Sequence, residues 1–165
     1  MAIADALLPE YDHETATTRR LLERVPDGKF DWKPHAKSMS LGELSSHLAT
    51  LLAWGTAALE HPDFDVSAPF APPSLTTRAD LLATFDKEAA ATRASLASRT
   101  DADMMAPWSL TRGGKAIFTM PKVAVMRSFV VNHMIHHRGQ LSVYLRQLDV
   151  PIPSIYGPSA DETAF

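Results

Sequence analysis

Prolines and glycines divide this sequence into four stretches of about 20 residues, and in each the large apolar side chains recur on one helical stripe. A helix with one apolar stripe has to bury it against another element. Four of similar length do so most simply as an all-α four-helix bundle in a single domain over residues 1–165. The first stretch runs from about Ile3 to Val25 and stops before the turn signal Pro26-Asp27-Gly28. The second opens on the capping-box pattern Ser40-Leu41-Gly42-Glu43 and continues to about Glu60, ahead of Pro62. A proline-rich connection from Ser67 to Ser74 leads to an alanine-rich third stretch, from about Thr77 to Ser98. The fourth runs from about Pro121, read as a first-turn proline, to about Leu148, with Pro151 and Pro153 following. Strand signals are confined to Ser109-Leu110-Thr111 and Ala116-Ile117-Phe118 around Gly113-Gly114, enough for a small hairpin at most.

Charge and composition narrow the partners. The formal net charge is −3, and the 16 Lys and Arg residues are scattered, with no run longer than Arg19-Arg20. Such a chain has no field that would draw in phosphate backbones or anionic lipid headgroups, so neither nucleic acid nor a membrane surface is expected as a partner. No apolar run approaches the length of a membrane span. Cysteine is absent, which excludes disulfides, thiolate ligands and a cysteine nucleophile. The N-terminal MAIADALLPEYDHE has no basic region and its apolar run is interrupted, so a signal peptide is not expected; the chain reads as cytoplasmic.

Helical projection sorts the seven histidines. With His133 at 0° on the fourth stretch, Met126, Val130, Met134, Leu141 and Leu145 fall between about 20° and 120° at 100° per residue. His137 lies at about 40°, inside this inward stripe, and His136 at about 300°, well away from it. Residues four apart stack one turn above another, so His133 and His137 can reach one ion; satisfied core histidines are the competing reading. On the second stretch His47 sits at the margin of a leucine stripe, where it can look along a helix–helix seam. Glu43, one turn earlier, is either only the capping-box partner or an acceptor for the His47 ring. The first stretch's apolar stripe is broken by Glu14, Thr15 and Thr18, as at an internal ligand site or a partly exposed face. His13, His35 and His61 are expected to be solvated.

Other motifs fail. His133-Met134-Ile135-His136-His137 has zincin spacing, but Met134 stands where that chemistry needs a glutamate base. Gly113-Gly114-Lys115 lacks the earlier glycine and the hydroxyl residue of a phosphate-binding loop. No GxSxG elbow is present, and Trp32, Trp54 and Trp108 are expected as core or loop anchors.

The segment Asn132-His133-Met134-Ile135-His136-His137-Arg138-Gly139-Gln140-Leu141 resembles the HxxxHRGQL last-helix motif of the DinB/YfiT-like family. The helix bearing His47, the Trp32-Lys33-Pro34 stretch and Pro153-Ser154-Ile155-Tyr156-Gly157-Pro158-Ser159 are also similar to that family, so the likeness spans the chain. It implies an up-and-down bundle with one divalent ion, nickel or zinc, held by His47, His133 and His137, and a homodimer. Trp54 lies off the main apolar stripe of the second stretch, and is either a contact for such a dimer or packed beside His47. Some such proteins transfer bacillithiol, mycothiol or glutathione, and one isomerises maleylpyruvate. No motif here selects among these activities, and no catalytic residue beyond the ligands is identified.

Three imidazoles leave at least one coordination position for water or substrate, and an ion so held lowers the pKa of a bound water or thiol. Two functions follow. One is an enzyme activating a small thiol or water against a small electrophile, as a thiol S-transferase or a hydrolase. The other is a non-catalytic metal-binding bundle, its site closed by a fourth ligand such as Glu14.

Overall fold

In the computed structural model, which describes residues 2–67 and 73–163, the four expected helical stretches are present and pack around one core. Most of the proline-rich connection, residues 68–72, lies outside the described residues. Helix α1, Ile3–Leu22, buries Leu7, Tyr11, Thr18 and Leu21 along one face, and the buried Val25 follows in the turn after it. Pro26-Asp27-Gly28 leads into a single 3-10 turn, Asp27–Lys29. Helix α4, Arg78–Ala97, starts at Thr77, whose hydroxyl accepts the Asp80 N–H at 3.1 Å.

The second and fourth stretches are each divided. Helix α2, Leu41–Thr50, carries the expected capping box: Ser40 Oγ accepts the Glu43 N–H at 3.0 Å while the Glu43 carboxylate accepts the Ser40 N–H at 2.6 Å. At Leu51 and Leu52 the backbone tightens, with Trp54 N–H on Leu51 O at 3.1 Å and Gly55 N–H on Leu52 O at 2.8 Å. Helix α3, Ala53–Glu60, then continues against α4. Thr92 of α4 fixes the junction: its hydroxyl donates to Leu52 O at 2.6 Å and lies 2.9 Å from Thr56 Oγ1. The approach is so close that a Cβ on Gly55 would stand 2.6 Å from Thr92 Cγ2.

The last stretch begins as α6, Lys122–Val125, widens into a π-helical segment, Met126–Val131, and continues as α7, Asn132–Gln147. The wide turn is explicit in Asn132 N–H, which bonds to Arg127 O, five residues back. Pro121 is not in a first turn; it closes a strand and precedes α6. After α7, Asp149 takes the left-handed conformation (φ 58°), and its N–H and that of Val150 return to Arg146 O and Leu145 O at 3.1 and 3.0 Å, the paired bonds of a Schellman cap.

An all-α architecture is corrected by a three-stranded sheet in the order β1-β2-β3. Strands β2, Pro107–Arg112, and β3, Lys115–Pro121, form an antiparallel hairpin longer than expected, and β1, Asp63–Asp65, runs parallel to β2. A short helix, α5 (Asp101–Met105), precedes it. Gly113 and Gly114 join the hairpin with φ of 57° and 75°, which only glycine adopts freely at both positions of a two-residue turn. The Asp65 carboxylate accepts both of their N–H groups, at 3.1 and 3.0 Å, tying β1 to the turn; the Ser67 hydroxyl and N–H, which also donate to it, and then these two hold its pKa well below the usual carboxylate range. The sheet buries Trp108 against Ala58 and Val125, with Trp54, Phe64, Leu110, Phe118 and Met120 packed around them as a second apolar cluster.

Candidate metal centre

His47 lies on α2, and His133 and His137 lie one turn apart at the start of α7, where these helices pack together. The three rings turn their Nε2 atoms toward a common point. His133 Nε2 is 2.8 Å from His137 Nε2 and 3.4 Å from His47 Nε2, and all three ligand atoms lie within 4.8 Å of one another. Four ligands in a tetrahedral zinc site, at about 2.0–2.1 Å from the ion, stand about 3.3 Å apart, so the donor set fits one divalent ion.

Each imidazole is half-buried, and that burial pushes its pKa down. The effect is largest for His47, lowered to about 4 first by desolvation and then by the charges that His137 and His133 would carry. Neutral imidazole is the form a metal ion binds, so the cluster is held ready near neutral pH. His137 Nδ1 lies 2.7 Å from Gln140 Oε1; with the amide oxygen accepting, the ring proton sits on Nδ1 and leaves Nε2 free to coordinate. At His133 the Phe129 backbone, supplied by the π-helical segment, acts against the lowering of the ring's pKa. Such wide turns recur at functional sites, and this one ends immediately before the histidine pair.

Glu14 does not face the cluster. Its carboxylate receives the Tyr156 hydroxyl at 3.0 Å on each oxygen and lies 2.6 Å from Arg138 Nη2, an ion-pair contact whose N–H is not aligned for a hydrogen bond. Of the alternatives the sequence leaves open, closure of the site by Glu14 is therefore not the one seen: its carboxylate is taken by Arg138 and Tyr156, and the ligand cluster holds only His47, His133 and His137. Glu43 likewise serves only the capping box and a 3.3 Å contact with Lys33. His136 is exposed, as are His13, His35 and His61.

Two cavities border the cluster. A cleft of about 750 Å³, with Lys33, Lys37, Ser38 and Glu43 in its wall, reaches His47 from one side. A smaller pocket of about 160 Å³, walled by Trp54, Trp108, Leu110 and Phe118, reaches both His47 and His133. Trp54 is half-buried in that wall against Phe64, their ring centroids 4.5 Å apart.

A helical core with an appended sheet and three imidazoles converging from its second and last helical stretches defines a class of bundle proteins able to hold a divalent ion. The chain belongs to the DinB family, whose profile matches residues 3–164. The uncharacterized protein YrdA of Bacillus subtilis (strain 168) is 24% identical over 160 residues, covering 97% of this chain and 92% of that protein. Among solved structures, a DinB-like protein from Bacillus cereus ATCC 10987 has a TM-score of 0.72 at 22% identity, over 92% of this chain and 97% of that one. A DinB-like protein from Bacillus subtilis gives 0.69 at 21%, over 87% and 92%. These likenesses concern the fold.

Proposed function

We propose that this protein is a divalent-metal-dependent enzyme that joins a low-molecular-weight thiol to a small electrophile, with His47, His133 and His137 holding the ion. The observation that carries this reading is the pair of cavities, because His47 borders both. Two compartments meeting at one centre suit a reaction between two molecules, whereas hydrolysis needs only one compartment and water. The larger cleft has polar and charged groups suited to a peptide-like or sugar-like thiol, and the smaller pocket is apolar. A divalent ion held by the three imidazoles supplies the positive charge that keeps a thiol sulfur ionised near neutral pH, against about 8.5 for a free thiol. Because the chain has no cysteine, the sulfur comes from the cosubstrate. In the reaction the sulfur loses its proton and forms a bond to carbon, and the electrophile either expels its leaving group or, in an addition, takes up a proton.

The test incubates metal-loaded protein with a panel of electrophiles, with and without bacillithiol, mycothiol or glutathione. Thiol-dependent product supports the reading. Product formed without thiol replaces it with hydrolysis, and no product in either arm leaves a non-catalytic metal-binding bundle.

A further inference from the structure

The smaller pocket is built to exclude charge. Among the described residues its lining contains no acid, lysine or arginine, and apart from His47 and His133 at the metal end it is aliphatic or aromatic. A charged group placed there away from the ion would lose its hydration without a compensating partner. Part of the wall is a continuous run of rings. The Trp108 and Phe118 centroids lie 6.1 Å apart, and Phe118 stacks on Phe129 at 5.0 Å with 13° between the ring planes. These rings come from β2, β3 and the π-helical segment, so the appended sheet and the wide turn together shape the pocket. Leu51, Val125 and Val130, all buried, add aliphatic surface. The volume of about 160 Å³ is close to that of engineered apolar cavities of about 150 Å³, which stay dry and take up benzene.

We propose that this pocket receives the electrophile by an uncharged group the size of a single ring, and that the ring wall raised by the hairpin and the π-helical segment sets this preference. The term electrophile rests on the thiol-transfer reading above; the preference for such a group does not.

Three probes read charge and size by ligand-observed NMR. Nitrobenzene and benzoate share one shape but only benzoate is charged, and 2-nitronaphthalene adds a second ring. Nitrobenzene is titrated into metal-loaded and chelator-treated protein; benzoate is compared in the chelator-treated protein, where no ion can hold its carboxylate. Nitrobenzene should bind both forms, and at least about tenfold tighter than benzoate. It should also bind tighter than 2-nitronaphthalene, the reverse of the order on an open apolar surface, where the larger buried area wins. Leu110→Trp should weaken nitrobenzene by filling the space. Phe129→Ala, at a position already 39% exposed, removes one ring of the wall and should weaken it by about two- to tenfold. No nitrobenzene binding, benzoate binding as tightly, tighter binding of 2-nitronaphthalene, or affinity unchanged in both variants would each overturn the proposal. The expected probe binding without thiol transfer would retain the pocket and remove the reaction. Thiol transfer without nitrobenzene binding would do the opposite.

Discussion

Arg138 of α7 and Glu14 of α1 form an ion pair inside the bundle, 2.6 Å apart, with side chains only 1% and 7% exposed. Arg138 Nη1 also donates to Glu14 O at 3.1 Å and Thr18 Oγ1 at 3.3 Å, and its guanidinium lies 5.0 Å from the centroid of the Tyr156 ring. The segment after α7 is thereby tied to α1 behind the metal centre. Removing one member leaves a buried charge without compensation, so Glu14→Ala should cost about 3–5 kcal/mol, against near-neutral replacement of both charges by apolar residues. Urea denaturation of Glu14→Ala, Glu14→Leu, Arg138→Met and the Glu14→Leu/Arg138→Met double variant checks this. If the double variant loses as much as the Glu14→Leu and Arg138→Met losses added, the two residues are not a coupled pair.

The ligand assignment makes a contrast between neighbours. His47, His133 and His137 converge, whereas His136 is exposed on the same helix. Alanine at any of the three should sharply lower metal content by plasma emission spectroscopy, and His136→Ala should leave it nearly unchanged. Equal losses in all four variants would remove the assignment.

Chelation should lower the melting temperature without abolishing helical circular dichroism. An ion present at a hundred times its Kd adds about 2.7 kcal/mol to the native state by mass action, and for a chain of this size each kcal/mol moves Tm by about 2–4 °C. The apolar core from α1, α2, α4 and α7 persists without the ion. Loss of the helical signal on chelation at 25 °C would contradict this.

At Gly55 the fold leaves no room for a methyl group, since a Cβ would meet Thr92 Cγ2 at 2.6 Å and Thr92 is held by its contacts with Leu52 and Thr56. Gly55→Ala should destabilise by about 1–3 kcal/mol through this clash. In a Thr92→Ser background the methyl is gone and the hydroxyl remains. There the same substitution should become neutral or stabilising, because alanine favours helix by about 1 kcal/mol over glycine. Persistence of the loss in the double variant would point to a different cause.

The helices and the histidine cluster were legible because both depend on local periodicity. Met126, Val130, Met134, Leu141 and Leu145 project to one stripe and are all buried, and His137 falls beside them. The sheet was largely hidden. Asp63-Phe64-Asp65 is a strand only because it meets residues 109–111 of β2, far along the chain, and β3 is mostly exposed, so its alternation is weak. Glu14 was seen as a polar break in an apolar stripe, but its partners come from α7 and from Tyr156, which spacing on α1 cannot reveal. The division at Leu51–Leu52 depends on Thr92 of α4, which bonds to Leu52 O and packs on Gly55, and the π-helical turn contains no proline or glycine to announce it.

Gln140 did carry a local signal, its position three residues after His137, and it supports the sharpest test of how the site is tuned. Its Oε1 lies 2.7 Å from His137 Nδ1, so it selects the tautomer whose Nε2 faces the other two rings. Gln140 is exposed and is not among the described lining residues of either cavity, which separates its effect from packing and from substrate contact. Gln140→Leu should keep the fold and, at saturating metal, full metal content. Its affinity should fall by about 10–100-fold, the usual consequence of losing the partner that orients a ligating imidazole. Gln140→Glu, which still offers an acceptor to Nδ1–H, should retain most of that affinity. Competition with a chromophoric chelator reads both variants directly. If Gln140→Leu binds metal as tightly as the unmodified protein, the ring is oriented by α7 alone and the amide has no part in the site.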